Sequence, residues 1–466
     1  MEQVKLYDTT LRDGMGGQGM SLSVGEKLKV VHALDALGVH FIEAGFPSSN
    51  PKEAELFELL TEQDLKGATI AAFGMTRRRD RKAADDEALA VLVGSFAPVV
   101  CLVGKSWGLH VEKVIKVSAE ENLAMIADSI AFLRDEGKRP VFDAEHFFDG
   151  YRDDAGYALE CVRAAAEAGA ENVTLCDTNG GSLPGFVAAT TAAVVTDLDG
   201  TAEIGIHTHN DAECAVANSL AAVEAGARLV QGCVNGYGER CGNANLASIL
   251  PALQLKMGFE VVSDEQLASL TPTSHYLDEL CNMTPNPDRA YVGRNAFAHK
   301  AGMHAAGVAT DASTFEHLDP ALVGNERDIL ASELSGKATI RSQAERAGLE
   351  LDDSTAAAAV ERLKEREHRG YHYEAAQASF ELLLRREAGV YEPLFELESF
   401  RVSTEKREGG AVETEATIKV KVDGERYVEV AEGNGPVNAL DTALRAAIGA
   451  RHPHLADVEL TNYKVR

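Results

Sequence analysis

The sequence predicts an α/β protein: a closed (β/α)8 TIM barrel, then a helical connector, then a small α+β tail. Three observations carry this. Eight short apolar runs, near residues 4–7, 39–43, 69–73, 98–103, 140–142, 172–176, 203–206 and 228–233, are each followed by a helical pattern. The seven intervals between the first start at 4 and the last at 228 average 32 residues, the length of a strand-helix unit and too long for a hairpin. From residue 395 to 430 the apolar period changes to two, as in antiparallel strands. An open doubly wound sheet is the other way to arrange the same eight units.

Taken in order, segments 26–37 (EKLKVVHALDAL), 119–136 and 155–168 space apolar residues three and four apart, with Gly38 and Gly169 as stop signals. After Leu267 the period breaks at TPTS (271–274) and MTPNPD (283–288), which supply turn chemistry. The alanine run 356–359 and RLKEREHRGYHYEAAQASFELLLRR (362–386) read as amphipathic helix. ESFRVSTEKRE, ETEATIKVKV and GERYVEVAE read as three strands, 436–448 as a helix and VELTNYKVR as a last strand. The expected division is a catalytic barrel over 1–265, a connector over 266–390 and an α+β region over 391–466.

Composition narrows the function classes. The chain has 466 residues, 45% hydrophobic and 25% charged, with 45 basic against 73 acidic side chains and a net charge of −28. That length exceeds one hydrophobic core. An acidic surface repels phosphates, which argues against nucleic acid and anionic membranes as main partners. The 7 cysteines are odd in number, widely spaced and never CxxC, so they read as reduced thiols of a cytoplasmic protein. MEQVKLYDTTLRDG lacks the apolar run of a signal peptide, and no later stretch reaches the ~18 apolar residues of a membrane span.

In such a barrel the site lies at the carboxyl ends of the strands. Strand one ends in TTLRDG (Arg12, Asp13), strand two in Glu43, strand five in DAEH (Asp143, Glu145, His146), strand six in CDTNG (Asp177, Thr178, Asn179) and strand seven in HTHN (His207, His209, Asn210). Strand eight leads to NGYGERCGN (Asn235, Glu239, Arg240, Asn243). Strands three and four run into Arg77, Arg78, Arg79 and Lys105, a basic run that either faces solvent or meets an anion.

His207-Thr208-His209 is the sharpest signal. Residues i and i+2 of an extended chain share a face, so both imidazoles can reach one divalent ion if Asp13 closes the site from strand one. Two imidazoles and a carboxylate suit Zn, Mn, Fe or Co, and Mg where other oxygens complete the shell. Asn243 can add a carbonyl oxygen. Arg12 beside such an ion can stabilise a developing oxyanion or enolate, and can at the same time pair with Glu43 or Glu145. Thr178 offers a hydroxyl to a substrate carboxylate, or caps the following helix. GMGGQG (14–19) lacks the spacing of a phosphate or dinucleotide loop and reads as a flexible loop over the site. RNAFAHKAGMHAAG (294–307) brings His299, Lys300 and His304 close together, and a histidine there can serve as general acid or base.

DTTLRDG, IEAGFP, CDTNGG, HTHND, NGYGERCGNANL and NAFAHKAGMH resemble, in that order, the signatures of the metal-dependent barrel enzymes that condense acyl-CoA: the 2-isopropylmalate, homocitrate and citramalate synthases. FDAEHFFDGY, YGERCGNANL and LVGNERDILASELSG look most like the citramalate synthase branch. The resemblance implies Claisen-type condensation of acetyl-CoA with an α-keto acid, pyruvate in that branch, then thioester hydrolysis that releases CoA, feeding isoleucine synthesis in a cytoplasmic homodimer. By motif, Asp13, His207, His209 and Asn243 would hold a divalent metal (Mn, Mg, Zn or Co). Arg12 would stabilise the oxygen that becomes negative, and Glu43, Glu145 and Thr178 would belong to the keto-acid pocket. Glu145, Glu239 and His304 would be the acid-base candidates, and the arginines at 77–79 the first place to seek CoA phosphates.

The sequence departs from the family at three points. Gly16 stands where relatives carry glutamine, which appears here only at Gln18; Phe315 stands where a tyrosine is common; and the α+β region, from ESFRV through VAEGNGPVNALDTAL similar to the start of the family's regulatory domain, stops at Arg466, where a second strand-helix half would begin, so it reads as a shortened α+β domain of regulatory type. A larger keto acid, a lyase using the same metal site, and a binding protein without catalysis are the competing expectations.

Overall fold

The computed structural model describes residues 2–299, 302–329, 337–371, 373, 376–406, 409–410 and 412–460. Eight strands, β1 (Lys5–Asp8), β2 (Phe41–Gly45), β3 (Thr69–Met75), β4 (Val99–Lys105), β5 (Arg139–Glu145), β6 (Asn172–Asp177), β7 (Glu203–Thr208) and β8 (Leu229–Gly232), close into one barrel in sequence order. Every pairing is parallel, and β8 closes onto β1 through Tyr7↔Gln231. The closed sheet excludes the open doubly wound arrangement.

The local chemistry explains the repeat. The helix Val24–Leu37 starts in a capping box between Ser23 and Glu26 and ends at Gly38, whose φ of 88° needs no side chain. Helix Ala155–Ala168 stops in the same way at Gly169, φ 104°. Alternate strand residues point inward: Tyr7, Phe41, Ala71, Val99, Cys101, Val141 and Leu229 fill the barrel centre, and Tyr7 stacks on Phe41 with ring centroids 5.7 Å apart. The inward positions above this apolar plug carry the polar residues of the site, and those below it are polar as well.

The described residues form two compact units, Met1–Leu330 and Ala331–Arg466. Residues 266–330, grouped with the connector on sequence, thus lie in the barrel's unit. There β9 (Ala298–His299) pairs with β10 (Asp328–Ile329). Lys300, within the 294–307 motif, and residues 330–336 of the LVGNERDILASELSG segment lie outside the described residues.

In the second unit, helices Lys337–Arg346, Asp353–His368 and Gln377–Glu387 share a small core of Ile340, Ala356, Leu363, Phe380 and Leu384. The segment expected as helix over 362–386 is broken: Gly370 has φ 91°, so the chain turns there. Strands β11 (Glu396–Lys406), β12 (Val412–Val422) and β13 (Glu425–Gly433) form an antiparallel sheet in sequence order. One face of β12 packs Ile418, Val420 and Val422 with Ala443 and Ala447 of helix Pro436–Ile448. The last expected strand is not formed over 458–460, and 461–466 lie outside the described residues.

Candidate active site

The carboxyl ends of β1 and β7 meet. Asp13 Oδ2 lies 3.3 Å from His207 Nε2 and 3.6 Å from His209 Nε2, and one ligand atom from each residue falls within 4.8 Å of the others. Among the described residues this is the one cluster of three or more His, Cys, Asp or Glu side chains with that geometry. The strand period produces it: between the histidines, Thr208 points the other way and donates to Ala215 O at 3.0 Å, anchoring β7 to the next helix.

Asn243 joins the group through an antiparallel bridge to His209. Its Nδ2 donates to Tyr237 O at 3.1 Å, while its Oδ1 is buried and has no hydrogen-bond partner among the described residues. A buried orphan acceptor beside two imidazoles and a carboxylate is a donor set with room for a cation. The loop that presents it demands glycine at 238, where φ is 143° and a Cβ would lie 2.2 Å from Asn243 Nδ2. Beneath that loop Asp278, fully buried, accepts from Tyr237 Oη at 2.5 Å and Arg289 Nη1 at 2.7 Å.

The electrostatics match. Burial opposes ionisation of Asp13, but Arg12 and the two histidines hold its carboxyl well below the usual range. Burial and the neighbouring His207 push His209 down to about 4, so it is neutral near pH 7. Burial disfavours charge on His207 too, yet the hydrogen bond and charge of Asp13 raise its pKa.

Arg12 is held on three sides. Its Nε donates to Glu43 Oε1 at 2.6 Å, its Nη1 lies 3.4 Å from Asp13 Oδ2, and its Cζ sits 4.0 Å above the Phe73 ring. Glu43 is fully buried and also accepts from Tyr7 Oη at 3.3 Å, so its carboxylate is engaged by protein groups. Of the two carboxylates open to Arg12 on sequence, it takes Glu43, while Glu145 pairs with Lys105.

Thr178 does not cap the next helix, which begins at Pro184 with Leu183 before it. Its Oγ1 accepts from His146 N at 2.9 Å, leaving the hydroxyl proton free to donate elsewhere. Arg240 clamps this loop, donating to Thr178 O at 2.7 Å and pairing with Asp211.

Other expected residues sit further out. Gly14–Gly16 is a short 3-10 turn packed on the 233–239 loop, not a free flap. Gly16 makes room for Glu239: a Cβ there would lie 2.7 Å from Glu239 Cγ. The Glu239 side chain is 65% exposed. His304 is exposed and stacks on Phe315 with centroids 4.3 Å apart; among the described residues no hydrogen bond ties it to the barrel centre. Arg77 is 6% exposed and spent on Glu121 and Asp128, so it is not available to an anion. A cavity of about 950 Å³ opens beside it, lined by Phe46, Arg78, Arg79, Arg81, Lys105 and Lys116 among others. All seven cysteines are free.

Sequence reasoning missed Asn172, Thr174, Gln231 and Asp278. The first three are polar residues at inward positions of buried parallel strands, where apolar residues are the rule, and that anomaly was the available signal.

Comparison with known proteins agrees with this fold. Residues 3–276 match the HMGL-like family model, 291–370 the homocitrate synthase post-HMGL domain-like model, and 374–466 the LeuA allosteric (dimerisation) domain. The chain is 48% identical to the (R)-citramalate synthase of Synechocystis sp. over 99% of this chain and 86% of that one. It is 47% identical to that of Geobacter sulfurreducens over 100% and 88%, and 32% identical to the 2-isopropylmalate synthase of Pelotomaculum thermopropionicum over 96% and 87%. Among solved structures, the Bacillus subtilis HMG-CoA lyase covers 62% of this chain with 97% of its own, at a TM-score of 0.51 and 20% identity, a likeness of fold.

Proposed function

The chain belongs to the metal-dependent HMGL-like family in its citramalate synthase branch, and on that premise we propose that it condenses acetyl-CoA with pyruvate to (R)-citramalate and releases CoA, as an acyltransferase of isoleucine biosynthesis. The single observation that carries this is identity of 43% to 48% along the whole chain with five (R)-citramalate synthases, against 31% to 34% with three 2-isopropylmalate synthases.

Asp13, His207, His209 and Asn243 would hold a divalent ion, Mn, Mg, Zn or Co. When bound, it supplies a Lewis acid that polarises the keto-acid carbonyl. Arg12, fixed by Glu43 and Phe73, places a permanent positive charge where the carbonyl oxygen gains negative charge. Thr178, its acceptor side taken by His146 N, donates its hydroxyl proton to the keto-acid carboxylate. Glu43 acts through Arg12 and does not itself touch substrate. Glu145 lines the keto-acid pocket beside Lys105, and with His304 and Glu239 it forms the acid-base set that takes a proton from the acetyl methyl group and delivers one to the new alkoxide.

CoA is polyanionic while the protein carries −28. Arg78, Arg81 and Lys116, which have no ion pair among the described residues, line the cavity beside Glu145 with Arg79, and they are the local exception where its phosphates bind. Residues 1–265 form the catalytic barrel, 266–390 the connector, whose first part to residue 330 belongs to the barrel's compact unit, and 391–466 a regulatory-type part through which two copies pair; the match of 374–466 to a dimerisation domain supports the pairing. No helix among the described residues is long and apolar enough to cross a membrane, which is compatible with a cytoplasmic location. Metal-stripped protein, resupplied with one divalent ion at a time, should release free thiol from acetyl-CoA only with metal and pyruvate both present. Release without pyruvate would contradict the condensation.

A further inference from the structure

A line of hydrogen bonds runs up the barrel interior and ends on a histidine of the metal cluster. It starts at Glu203, at the base of β7, whose Oε2 accepts from Lys5 Nζ at 3.0 Å and whose Oε1 accepts from Asn172 Nδ2 at 3.2 Å. An ionised carboxylate only accepts, so Asn172 must turn its NH2 group toward Glu203. Asn172 Oδ1 is then left to accept the Thr174 hydroxyl proton at 2.8 Å. That proton is the only one Thr174 has, so its Oγ1 accepts from Gln231 Nε2 at 3.3 Å. The same Nε2 donates to Asp143 Oδ1 at 2.7 Å. With its NH2 committed twice, Gln231 presents Oε1 to His207 Nδ1 at 3.0 Å. An amide oxygen there requires the histidine proton to sit on Nδ1.

The backbone is built for this line. Strand register sets Asn172 beside Glu203 and Thr174 beside Gly205, and His207 beside Gln231. Gly205 has to be bare, because a Cβ there would lie 2.5 Å from Thr174 Oγ1 and 2.7 Å from Asn172 Oδ1. Asn172, Thr174 and Gln231 are all buried, so water does not compete for their protons. At the upper end, His207 Nε2 faces Asp13 Oδ2 at 3.3 Å, and with the Nδ1 proton held by Gln231 it is the nitrogen that a metal ion can take.

We propose that Gln231, with Thr174 and Asn172 behind it, is a positioning residue that fixes His207 in the Nδ1–H tautomer, keeps Nε2 open to the metal and so sets the affinity of the site. This rests on the metal-site reading above. Outer partners that orient a ligand histidine typically change metal affinity about 10- to 100-fold.

The test is direct Mn(II) titration of metal-free protein, reading unbound Mn(II) by electron paramagnetic resonance, on the wild type, Gln231→Leu, Thr174→Val and Thr174→Ser. Gln231→Leu and Thr174→Val should weaken binding about 10-fold or more, while Thr174→Ser, which restores the hydroxyl, should return it to the wild-type value. Thr174 touches no metal ligand, and valine keeps its shape, so this pair remains informative if Gln231→Leu does not fold. A Thr174→Val protein with a lower melting temperature but unchanged Mn(II) affinity has lost only packing and overturns the proposal. A wild type that binds no Mn(II), Co(II), Zn(II) or Mg(II) overturns the metal site itself and this inference with it.

Discussion

Arg12 Nε lies 2.6 Å from Glu43 Oε1, and Glu43 has no exposed surface. The pair decides where the guanidinium beside the Asp13, His207 and His209 cluster can point. If Glu43 serves catalysis only by holding Arg12, the two residues are not independent. Glu43→Ala should lower kcat about 100-fold, the scale of an ångström-sized misplacement, and Arg12→Ala about 100- to 1,000-fold. The double variant should fall no further than Arg12→Ala. Multiplying losses in a steady-state double-mutant cycle would show that Glu43 acts on substrate in its own right.

Thr178 is oriented by acceptance from His146 N and held from behind by Arg240. Thr178→Val should raise the KM for pyruvate about 10-fold, the value of one hydrogen bond to a charged group, and leave the KM for acetyl-CoA alone. Arg240→Ala, which frees the loop, should shift the same parameter in the same direction. Equal effects on both substrates would assign Thr178 a structural part.

The basic cavity makes a contrast between neighbours. Arg78→Ala and Lys116→Ala should each raise the KM for acetyl-CoA about 5-fold, corresponding to ~1 kcal/mol for an exposed charge on a phosphate. That penalty should shrink with added salt. Arg77→Ala, one residue away but locked to Glu121 and Asp128, should lower the melting temperature and leave that KM unchanged. Unaltered KM values in Arg78→Ala and Lys116→Ala would remove the CoA phosphates from this cavity.

Much of the architecture is legible in the sequence. The eight strand starts were visible because a buried parallel strand is a short apolar run and the crossover back to its neighbour has a near-constant length. Asp13, His207 and His209 were visible because the i, i+2 period puts both imidazoles on one face. What stayed hidden depends on partners far apart in sequence. Nothing local shows that Arg77 spends its charge on helix Ala119–Asp135 while Arg78 keeps its own, or that Gly16 is small because Glu239 lies over it. The break in 362–386 was hidden for a different reason: Gly370 is flanked by helix-compatible residues, and only its φ of 91° and the shared core of the helices on either side reveal the turn.

Asp8 supplies a pH dependence of stability. Burial raises its carboxyl from 3.8 to about 7, with hydrogen bonds from Thr10 and Val234 opposing the rise. Between those values the folded chain holds a proton that the unfolded chain has lost, so the stability Asp8 contributes below pH ~4 is lost as pH rises through about 7. Asp8→Asn should flatten the fall in unfolding free energy across that window, followed by urea melts at several pH values. An identical slope in the variant would show that Asp8 is not the group responsible.

The geometry and the relatives together assign this site the joining of acetyl-CoA to pyruvate. The most direct measurement is thiol release from acetyl-CoA by the metal-loaded protein with pyruvate, 2-oxoisovalerate and 2-oxoglutarate in parallel, comparing kcat/KM and identifying the product as (R)-citramalate. Pyruvate should lead clearly, and His207→Ala and His209→Ala should abolish release. A clear preference for 2-oxoisovalerate or 2-oxoglutarate would contradict the assignment.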